Sequence, residues 1–436
     1  MSDEKNINRR QFLKRTGVTF GAFGFPYIVP SSVFGRSGII PPSEKITIGC
    51  IGVGGMGTGN MRSFLDLSDA RIVAVCDLDK NNLMNAKKIV DEYYNNSDCD
   101  TYHDFRELVA RKDIDVISMA TPDHWHSITA IAAAKSGKDI YGEKPISHSL
   151  HEGRAMCDAV KRYNRIWQTG SWQRSQENFR FACELVLNGR IGKVSHVEVG
   201  LPSGYSYSGT KEMEMVTDPP PELDYNFWLG PAPYHAYQRC RVHWNWRWNL
   251  EYGGGQLMDW VGHHVDIAHW GLGLDYDGPV VVDGTGDFLK DGLWNSAYKY
   301  RVNTEYRNGI KMTIAGGHDD IKHGTKWIGE HGWVWVDRGF LDANPKSLLR
   351  ERFDPDEIHL LHSKGHHRNF LDCVKTRETT LAPSEIAHRS ASPGHLGQIS
   401  MLLGRKIQFD PDTEEIIGDP TASRMLGYAF RSPWYL

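Results

Sequence analysis

One stretch decides the fold class: Lys45-Ile46-Thr47-Ile48-Gly49-Cys50-Ile51-Gly52-Val53-Gly54-Gly55-Met56-Gly57. Its apolar beginning is typical of a buried parallel strand, and it passes directly into the pattern Gly-x-Gly-x-x-Gly. Glycines at this spacing permit a tight turn and bring the backbone close to a pyrophosphate, which the N-terminus of the next helix stabilises. We therefore predict a dinucleotide-binding turn made by Gly52, Gly54, Gly55, Met56 and Gly57.

A second apolar run, residues 71–76, ends at Asp77. A carboxylate about 20 residues beyond the glycine pattern accepts hydrogen bonds from the ribose hydroxyls and repels a 2′-phosphate. The sequence therefore favours NAD over NADP as the cofactor.

Helical and strand-like segments continue to alternate along the first half of the chain, at residues 105–111, 115–120, 127–136 and 139–142. This alternation predicts an α/β fold with a doubly wound parallel sheet, a Rossmann domain, over residues 44–165. Ligands of such sheets lie beyond the carboxyl ends of the strands. Residues 121–126 and 143–145 follow two of these ends and are candidate ligand contacts.

The pattern changes in the second half of the chain. Short β-like runs at residues 194–201, 298–307, 311–315 and 332–337 are joined by turns that contain Gly and Asn. We predict a second, α+β domain over residues 166–436 with a mainly antiparallel open sheet, one face of which can cover the cofactor.

Polar residues recur at helical spacing in residues 253–266, after a glycine turn. Asp259, His263 and Asp266 stand at i, i+4 and i+7, so they are expected on one helix face. A carboxylate beside an imidazole suits the oxidation of an alcohol, where one group removes the hydroxyl proton and the other orients it. The alternative is an ordinary amphipathic helix with a solvated polar face.

Several of these motifs together resemble the Gfo/Idh/MocA family, whose members act mostly on sugars and polyols. The resemblance rests on the glycine turn, Asp77, Thr121-Pro122 with His126, and Gly137-Lys138 leading to Glu143-Lys144-Pro145. It extends over nearly all of the chain after residue 44. It implies that Lys144 is catalytic and contacts both nicotinamide and substrate, and it assigns catalytic roles to Asp259 and His263.

The resemblance also implies further contacts. Residues 170–174 resemble a segment that reaches the cofactor, and residues 244–252 resemble the loop before the catalytic helix. The candidate cofactor contacts after the glycine turn are Asp77, Thr121, Pro122, His126, Glu143, Lys144, Trp172 and Arg174. Arg247 and Trp248 join Lys144, Asp259 and His263 as candidate substrate contacts, although aromatic packing explains the tryptophan equally well. A metal site is the minority interpretation, because His263 and His264 are adjacent and direct their rings apart.

Residues 1–35 have the pattern of an export signal. Arg9-Arg10 lies in a twin-arginine motif, and an apolar stretch follows that is too short to span a membrane. We expect the twin-arginine machinery to export a folded chain to the periplasm. A cofactor carried out in this way would have to stay bound. The resemblance further implies a homo-oligomer, a dimer or a tetramer.

The balance of charge bears on the partners. Fifty basic and 54 acidic residues give a net charge of −4 without a basic stripe, which argues against nucleic acid. Three functions stay open. The first is a sugar or polyol oxidoreductase with NAD, the second a redox-neutral glycosidase or lyase that oxidises its substrate transiently, and the third a sugar-binding protein without activity.

Overall fold

The computed structural model describes residue 41 and residues 44–205 and 211–436. The predicted export signal and its cleavage point lie outside the described residues. Everything below concerns the compact unit Ile46–Leu436.

The first half forms a six-stranded sheet in the order β3-β2-β1-β4-β5-β6, and every pair in it is parallel. Its strands are β1 (Ile46–Ile51), β2 (Ala70–Cys76), β3 (Asp100–Tyr102), β4 (Val116–Met119), β5 (Asp139–Gly142) and β6 (Trp167–Thr169). This is the strand order of a dinucleotide-binding Rossmann sheet. The predicted α/β class is confirmed. The sheet continues past the predicted domain boundary at residue 165, because β6 pairs with β5.

Helices cover both faces of this sheet. They are α1 (Gly55–Leu65), α2 (Lys80–Tyr94), α3 (Phe105–Val109), α4 (Asp123–Lys135) and α5 (Leu150–Arg162). Side chains cap three of their starts: Asp79 accepts from the N–H groups of Asn81 and Asn82, Asp104 from that of Arg106, and Ser149 from that of Glu152.

The second half forms a nine-stranded sheet in the order β13-β12-β11-β7-β10-β9-β8-β14-β15. Its strands are β7 (Val194–Leu201), β8 (Pro279–Asp287), β9 (Lys299–Tyr306), β10 (Lys311–Gly316), β11 (Gly324–Gly329), β12 (Gly332–Asp337), β13 (Phe340–Asn344), β14 (Ile407–Asp410) and β15 (Glu415–Ile416). Only β7 and β10 pair in parallel; the other neighbours are antiparallel, as predicted.

The helices of the second half connect the two sheets. They are α6 (Glu177–Leu187), α7 (Tyr225–Leu229), α8 (Gly255–Trp260), α9 (Asp266–Leu272), α10 (His366–Thr376), α11 (Ser384–Leu403) and α12 (Pro420–Ser423). One continuous apolar core contains Ile117 of β4 and Val302 of β9, and Phe370 of α10 packs into the core beneath β1. The chain after residue 360 therefore folds back onto the Rossmann half.

The long helix α11 continues through Pro393, which lies in its interior. Most of its 20 residues are buried, so packing outweighs the backbone hydrogen bond that the proline cannot make. Within the described ranges, no helix combines the length and apolar character that crossing a membrane requires.

Candidate active site

The glycine turn leaves the start of α1 open. Gly52 has φ +74°, and a Cβ on Gly57 would lie 1.8 Å from the carbonyl oxygen of Gly52. Both positions therefore require glycine. Helix α1 has no side-chain cap, and a Cβ on Gly55 would meet no atom within 4 Å. Its first N–H groups face open space and suit an anion such as a pyrophosphate.

Asp77 ties the end of β2 to the glycine turn. Its carboxylate accepts from the N–H of Val53 at 2.8 Å and from the N–H of Asp79 at 2.8 Å. Burial raises the pKa of Asp77, although these two hydrogen bonds oppose the shift. The carboxylate also lines the cavity described below, where its remaining lone pairs are available to hydroxyl donors.

The chain after β5 delivers two charged residues to the same edge of the sheet. Glu143 is buried and accepts from the Asn60 amide at 2.9 Å. Gly170 leaves it room, since a Cβ there would lie 2.7 Å from a Glu143 oxygen. Lys144 Nζ donates to Asp259 Oδ1 at 2.8 Å and to the Asp259 carbonyl at 2.9 Å. The Rossmann half and the second half thus meet at a lysine–carboxylate pair.

The helix that carries Asp259 is not regular. Between α8 and α9 the residues Val261–Val265 form a π-helical turn. Asp259 and His263 line the cavity, but Asp266 points away and pairs with Arg174 at 2.7 Å. The predicted common face therefore holds for two of the three residues. The wider i→i+5 turn rotates the residues that follow it, and such turns are frequent at functional sites.

Burial and neighbouring charges give Asp259 and His263 different protonation states. Burial alone would raise the pKa of Asp259, but Lys144 and Arg247 outweigh it and hold that pKa below its usual range. Burial, reinforced by the charges of Lys144 and Arg338, lowers the pKa of His263 well below its ordinary value. Near neutral pH the site therefore holds an ionised Asp259 beside a neutral imidazole.

A cavity of about 820 Å³ connects these parts. It extends from the glycine turn and Asp77 to Lys144, Asp259 and His263, with Thr121 and Pro122 between them. Four buried polar atoms of its lining residues have no hydrogen-bond partner within the described ranges: Thr121 Oγ1, Arg247 Nε, His263 Nδ1 and Arg338 Nε. The open helix start, Asp77 at one end and unpaired polar atoms at the other fit a dinucleotide with a polar substrate.

Four tryptophans border the catalytic end, and sequence reasoning placed only Trp172 there. Trp244 and Trp246 stack on Arg247 at 4.4 and 4.5 Å, and Trp260 lies 5.5 Å from the His263 ring. Arg338, in the turn after β12, was also missed, whereas the buried Asp123 at the start of α4 lies in the segment 121–126 that the sequence indicated. Nothing in the local sequence of the turn after β12 distinguishes Arg338 from a surface arginine.

Comparison with known proteins agrees with this architecture. Residues 46–171 match the Gfo/Idh/MocA model that describes the NAD-binding Rossmann fold of this oxidoreductase family. Residues 174–436 match the Gfo/Idh/MocA model that describes the C-terminal alpha/beta domain of the same family.

The chain belongs to the Gfo/Idh/MocA oxidoreductase family.

Curated Gfo/Idh/MocA relatives match only part of the chain. A glycosyl hydrolase family 109 protein 2 of Shewanella sp. (strain ANA-3) is 32% identical over 173 residues, 36% of this chain and 37% of the relative. A levoglucosan dehydrogenase of Pseudarthrobacter phenanthrenivorans is 29% identical over 170 residues, 39% of this chain and 36% of the relative. Both matches span well under half of the relative's length.

Solved structures resemble the chain over most of its length. The WlbA dehydrogenase from Bordetella pertussis, in complex with NADH and UDP-GlcNAcA, has a TM-score of 0.62 at 17% identity. The likeness covers 84% of this chain and 99% of that one, and it shows the shared fold.

Four residues predicted for the Gfo/Idh/MocA site lie outside the cavity. Arg174 is buried, and its guanidinium is held by Asp266 and Asp275 at 2.7 Å each, so it anchors α9 instead of binding cofactor. Trp248 is 2% exposed and packs on Tyr205 and Trp294 instead of presenting a face to a sugar.

The third, His126, is buried, with its ring nitrogens 2.8 Å from the Pro145 carbonyl and 2.9 Å from that of Thr121. It joins the two strand ends that line the site. The fourth, Gly57, packs behind the turn, where a Cβ would lie 1.8 Å from the Gly52 carbonyl oxygen.

A histidine–carboxylate group lies behind the catalytic helix. His264, His323 and Asp337 bring their possible ligand atoms within 4.8 Å of one another. His323 contacts Asp337 at 2.8 Å, and the same carboxylate accepts from the N–H of Arg338 at 2.7 Å. Among the described residues this group therefore fixes the turn that carries Arg338.

Proposed function

We propose that the chain oxidises a hydroxyl group of a sugar or polyol with NAD as the cofactor. The observation that carries the proposal is the Lys144–Asp259 pair, joined at 2.8 Å, next to His263 in the cavity that begins at the glycine turn. The sequence resemblance that implies roles for these residues is to the Gfo/Idh/MocA family, and the chain belongs to that family.

Bound NAD supplies the acceptor for the hydride that leaves the carbinol carbon. The Lys144 ammonium directs two hydrogen bonds at Asp259, one to the carboxylate and one to the carbonyl. Its third N–H is free to bind the substrate oxygen. His263 Nδ1 has no partner among the described residues, and its neutral ring accepts the hydroxyl proton as the C–H bond breaks. Asp259 holds the lysine in place.

The preference for NAD over NADP belongs to the same proposal. Asp77 and Asp79 line the cavity at the adenosine end, where a 2′-phosphate would meet carboxylates. Titration with each dinucleotide is expected to show NAD binding at least about tenfold tighter. Equal affinities would contradict this part of the proposal.

The function is tested by supplying NAD with a panel of sugars and polyols and following absorbance at 340 nm. We expect at least one substrate to be oxidised with formation of one NADH per ketone or aldehyde produced. Lys161→Met, on the exposed face of α5, serves as the control and should retain that activity. A panel without turnover, on protein shown to bind NAD, would contradict the proposal.

A second function is favoured by the family 109 relatives, which are named as glycosyl hydrolases. In a redox-neutral cycle the same residues would take the proton of a ring hydroxyl while its carbon gives a hydride to bound NAD. The new carbonyl acidifies the neighbouring C–H, which loses its proton as the glycosidic group leaves as an alcohol. Water then adds to the double bond, and NADH returns the hydride to the carbonyl. Aryl glycosides incubated with the purified protein and no added NAD separate the two functions. Release of the aryl alcohol without net NADH would replace the first proposal by the second.

Export and assembly are proposed as well. The twin-arginine motif at Arg9-Arg10 supports delivery to the periplasm by the twin-arginine machinery. Cell fractionation of the full chain against an Arg9→Lys, Arg10→Lys variant tests it, with periplasmic protein expected only for the unchanged chain. Light scattering tests the proposed dimer or tetramer.

A further inference from the structure

Arg338 is a cation held between two aromatic faces at the catalytic end of the cavity. Its guanidinium carbon lies 4.6 Å from the ring centroid of Trp172 and 4.5 Å from that of Trp260. These indoles also flank His263, at 6.1 and 5.5 Å between ring centroids. Arg338 and the proposed proton acceptor therefore share the same two walls.

Among the described residues no carboxylate lies within 4.0 Å of the Arg338 guanidinium, although the charges of Asp337 and Asp259 act on it from further away. Its buried Nε has no hydrogen-bond acceptor there. Arg247 Nε also lacks an acceptor and Arg247 also lies over tryptophans, but its guanidinium is 3.5 Å from the Asp259 carboxylate. Asp337, next in sequence, is engaged by His323 and by the backbone N–H of Arg338.

The position of Arg338 is fixed before any ligand binds. Asp337 holds the turn through His323, and the His323 ring lies 5.0 Å from Trp260. The guanidinium carbon lies over both indole rings, which offer no carboxylate to its N–H groups, so the N–H donors, including the unpaired Nε, are available to a ligand. A planar fork of donors in a fixed orientation matches an oxyanion.

The surroundings also have an excess of positive charge. Lys144 and Arg247 both act on the single carboxylate of Asp259. Two further acidic residues of the lining are poor counter-ions, because burial raises the pKa of Asp123 well above its usual range and also raises that of Glu143. A half-buried cation without a partner is costly, and an anionic ligand would offset that cost.

We propose that Arg338 binds an anionic group of the substrate, so that the cavity takes an acidic sugar, one that carries a carboxylate or a phosphate. This rests on the proposed function for the position of the reacting hydroxyl. The anion binds at the guanidinium edge between Trp172 and Trp260 and places the neighbouring hydroxyl against His263 and Lys144. Arg338 is then a specificity-determining residue.

Calorimetric titration of the full chain saturated with NADH, which cannot accept a hydride from the sugar, tests the proposal. The probes are D-glucuronate, D-glucose 6-phosphate and neutral D-glucose, and the variants are Arg338→Gln and Arg338→Lys. Arg352→Gln is the control, since Arg352 is exposed. In the unchanged protein and the control, at least one acidic sugar should bind about tenfold or more tighter than glucose.

Arg338→Gln should abolish that preference and leave glucose binding unchanged, and Arg338→Lys should restore part of it. A preference for glucuronate identifies a carboxylate as the ligand, and one for the phosphorylated sugar identifies a phosphate. The proposal is overturned if acidic and neutral sugars bind alike, or if Arg338→Gln keeps the preference. An arginine with only a packing role would weaken the binding of all three sugars together.

The same titrations separate this inference from the proposed function. A preference that depends on Arg338, without oxidation of any sugar, would leave the anion site standing and contradict the oxidoreductase. Oxidation of neutral sugars with a KM that Arg338→Gln does not change would support the oxidoreductase and contradict the anion site.

Discussion

At the residue scale, the site depends on how Lys144, Asp259 and His263 divide charge and protons. The lysine and the carboxylate form a pair buried between the two halves of the chain, and the imidazole stays neutral beside them because burial and two cations oppose its protonation. An ion pair keeps the catalytic lysine oriented, while a neutral ring is ready to accept a proton.

Removal of the Lys144 ammonium tests directly whether these three residues share charge and protons in this way. Lys144→Met keeps the length of the side chain and removes the donor to Asp259. We expect kcat to fall by about 10²- to 10⁴-fold, with NAD binding retained because the glycine turn is untouched. Stopped-flow measurement of NADH formation checks it, with Lys161→Met as the matched control. Unchanged turnover would favour the interpretation of a sugar-binding scaffold without catalysis.

The pKa of His263 has a consequence for the pH profile. In the proposed mechanism the neutral form of His263 accepts the proton, so activity should be lost only when pH falls through a pKa that lies well below 6.5. Between pH 8 and pH 6 the profile of kcat/KM for sugar oxidation should therefore show no acidic limb from this residue. Arg338→Gln removes one of the opposing charges and should move the limb to higher pH. A limb near pH 6.5 in the unchanged protein would contradict the account.

The sequence located the charged residues that follow strands or share a helix. Glu143 and Lys144 follow β5, and Asp259 and His263 stand four residues apart. It misplaced Arg174 and Trp248, because burial against Asp266 and Trp294 depends on distant partners. It missed Arg338 for the same reason: its neighbours Trp172 and Trp260 are far away along the chain.

At the element scale, the turn between β1 and α1 depends on backbone packing. Two glycines of α1 make a matched pair. An added Cβ would lie 1.8 Å from a carbonyl at Gly57, whereas at the exposed Gly59 it would meet no atom within 4 Å. The first position is required by the turn and the second is not.

Substitution by alanine should therefore lower the free energy of unfolding at Gly57 and raise it at Gly59. Gly57→Ala should weaken NAD binding at least about tenfold and lower the free energy of unfolding by about 1–3 kcal/mol. Gly59→Ala should raise that free energy by about 0.5–1 kcal/mol, because alanine favours helix, and leave NAD binding unchanged. Urea unfolding and NAD titration measure both. Equal effects of the two substitutions would contradict the close packing of the turn.

Regular elements were predicted well, and departures from regularity were not. Periodicity located β1, β2, β5 and β7 to within a residue or so, because buried strands carry continuous apolar runs. The π-helical turn Val261–Val265 has no such signal. The wider turn moves Asp266 off the helix face that carries Asp259 and His263. The ion pair between Asp266 and Arg174 in the structure shows this displacement, and the sequence alone does not.

At the scale of the whole molecule, many histidines are buried and neutral. Burial lowers the pKa to about 3 for His124, His366 and His395, and to about 4 for His126, His148 and His269. Between pH 6.5 and pH 4 the unfolded chain therefore binds protons that the folded chain does not.

The free energy of unfolding should fall steeply as pH falls through this window. Each such histidine contributes up to about 1.4 kcal/mol per pH unit, present above pH 6.5 and lost below it. Urea unfolding at pH 7.5, 5.5 and 4.5 measures the slope. His395→Asn should make it shallower, and His331→Gln, at an exposed position, should not. A stability independent of pH in this range would show that these rings are not buried as neutral groups.

The two sheets of the molecule do not separate at residue 165. β6 completes the first sheet after residue 165, and α10 returns to the Rossmann core from the far end of the chain. Neither the pairing of β6 nor the packing of α10 can be predicted from the local sequence, because each depends on contacts between segments far apart along the chain. The resulting cavity lies where the two halves meet, at Lys144 and Asp259.

The central claim is that this cavity holds NAD for the oxidation of a substrate. Its most direct test is to denature the purified full chain and identify the released nucleotides by mass spectrometry and absorbance. The account predicts NAD or NADH, close to one molecule per chain, or complete loading by added NAD when the protein is purified empty. Absence of released nucleotide together with no measurable binding of added NAD would contradict it.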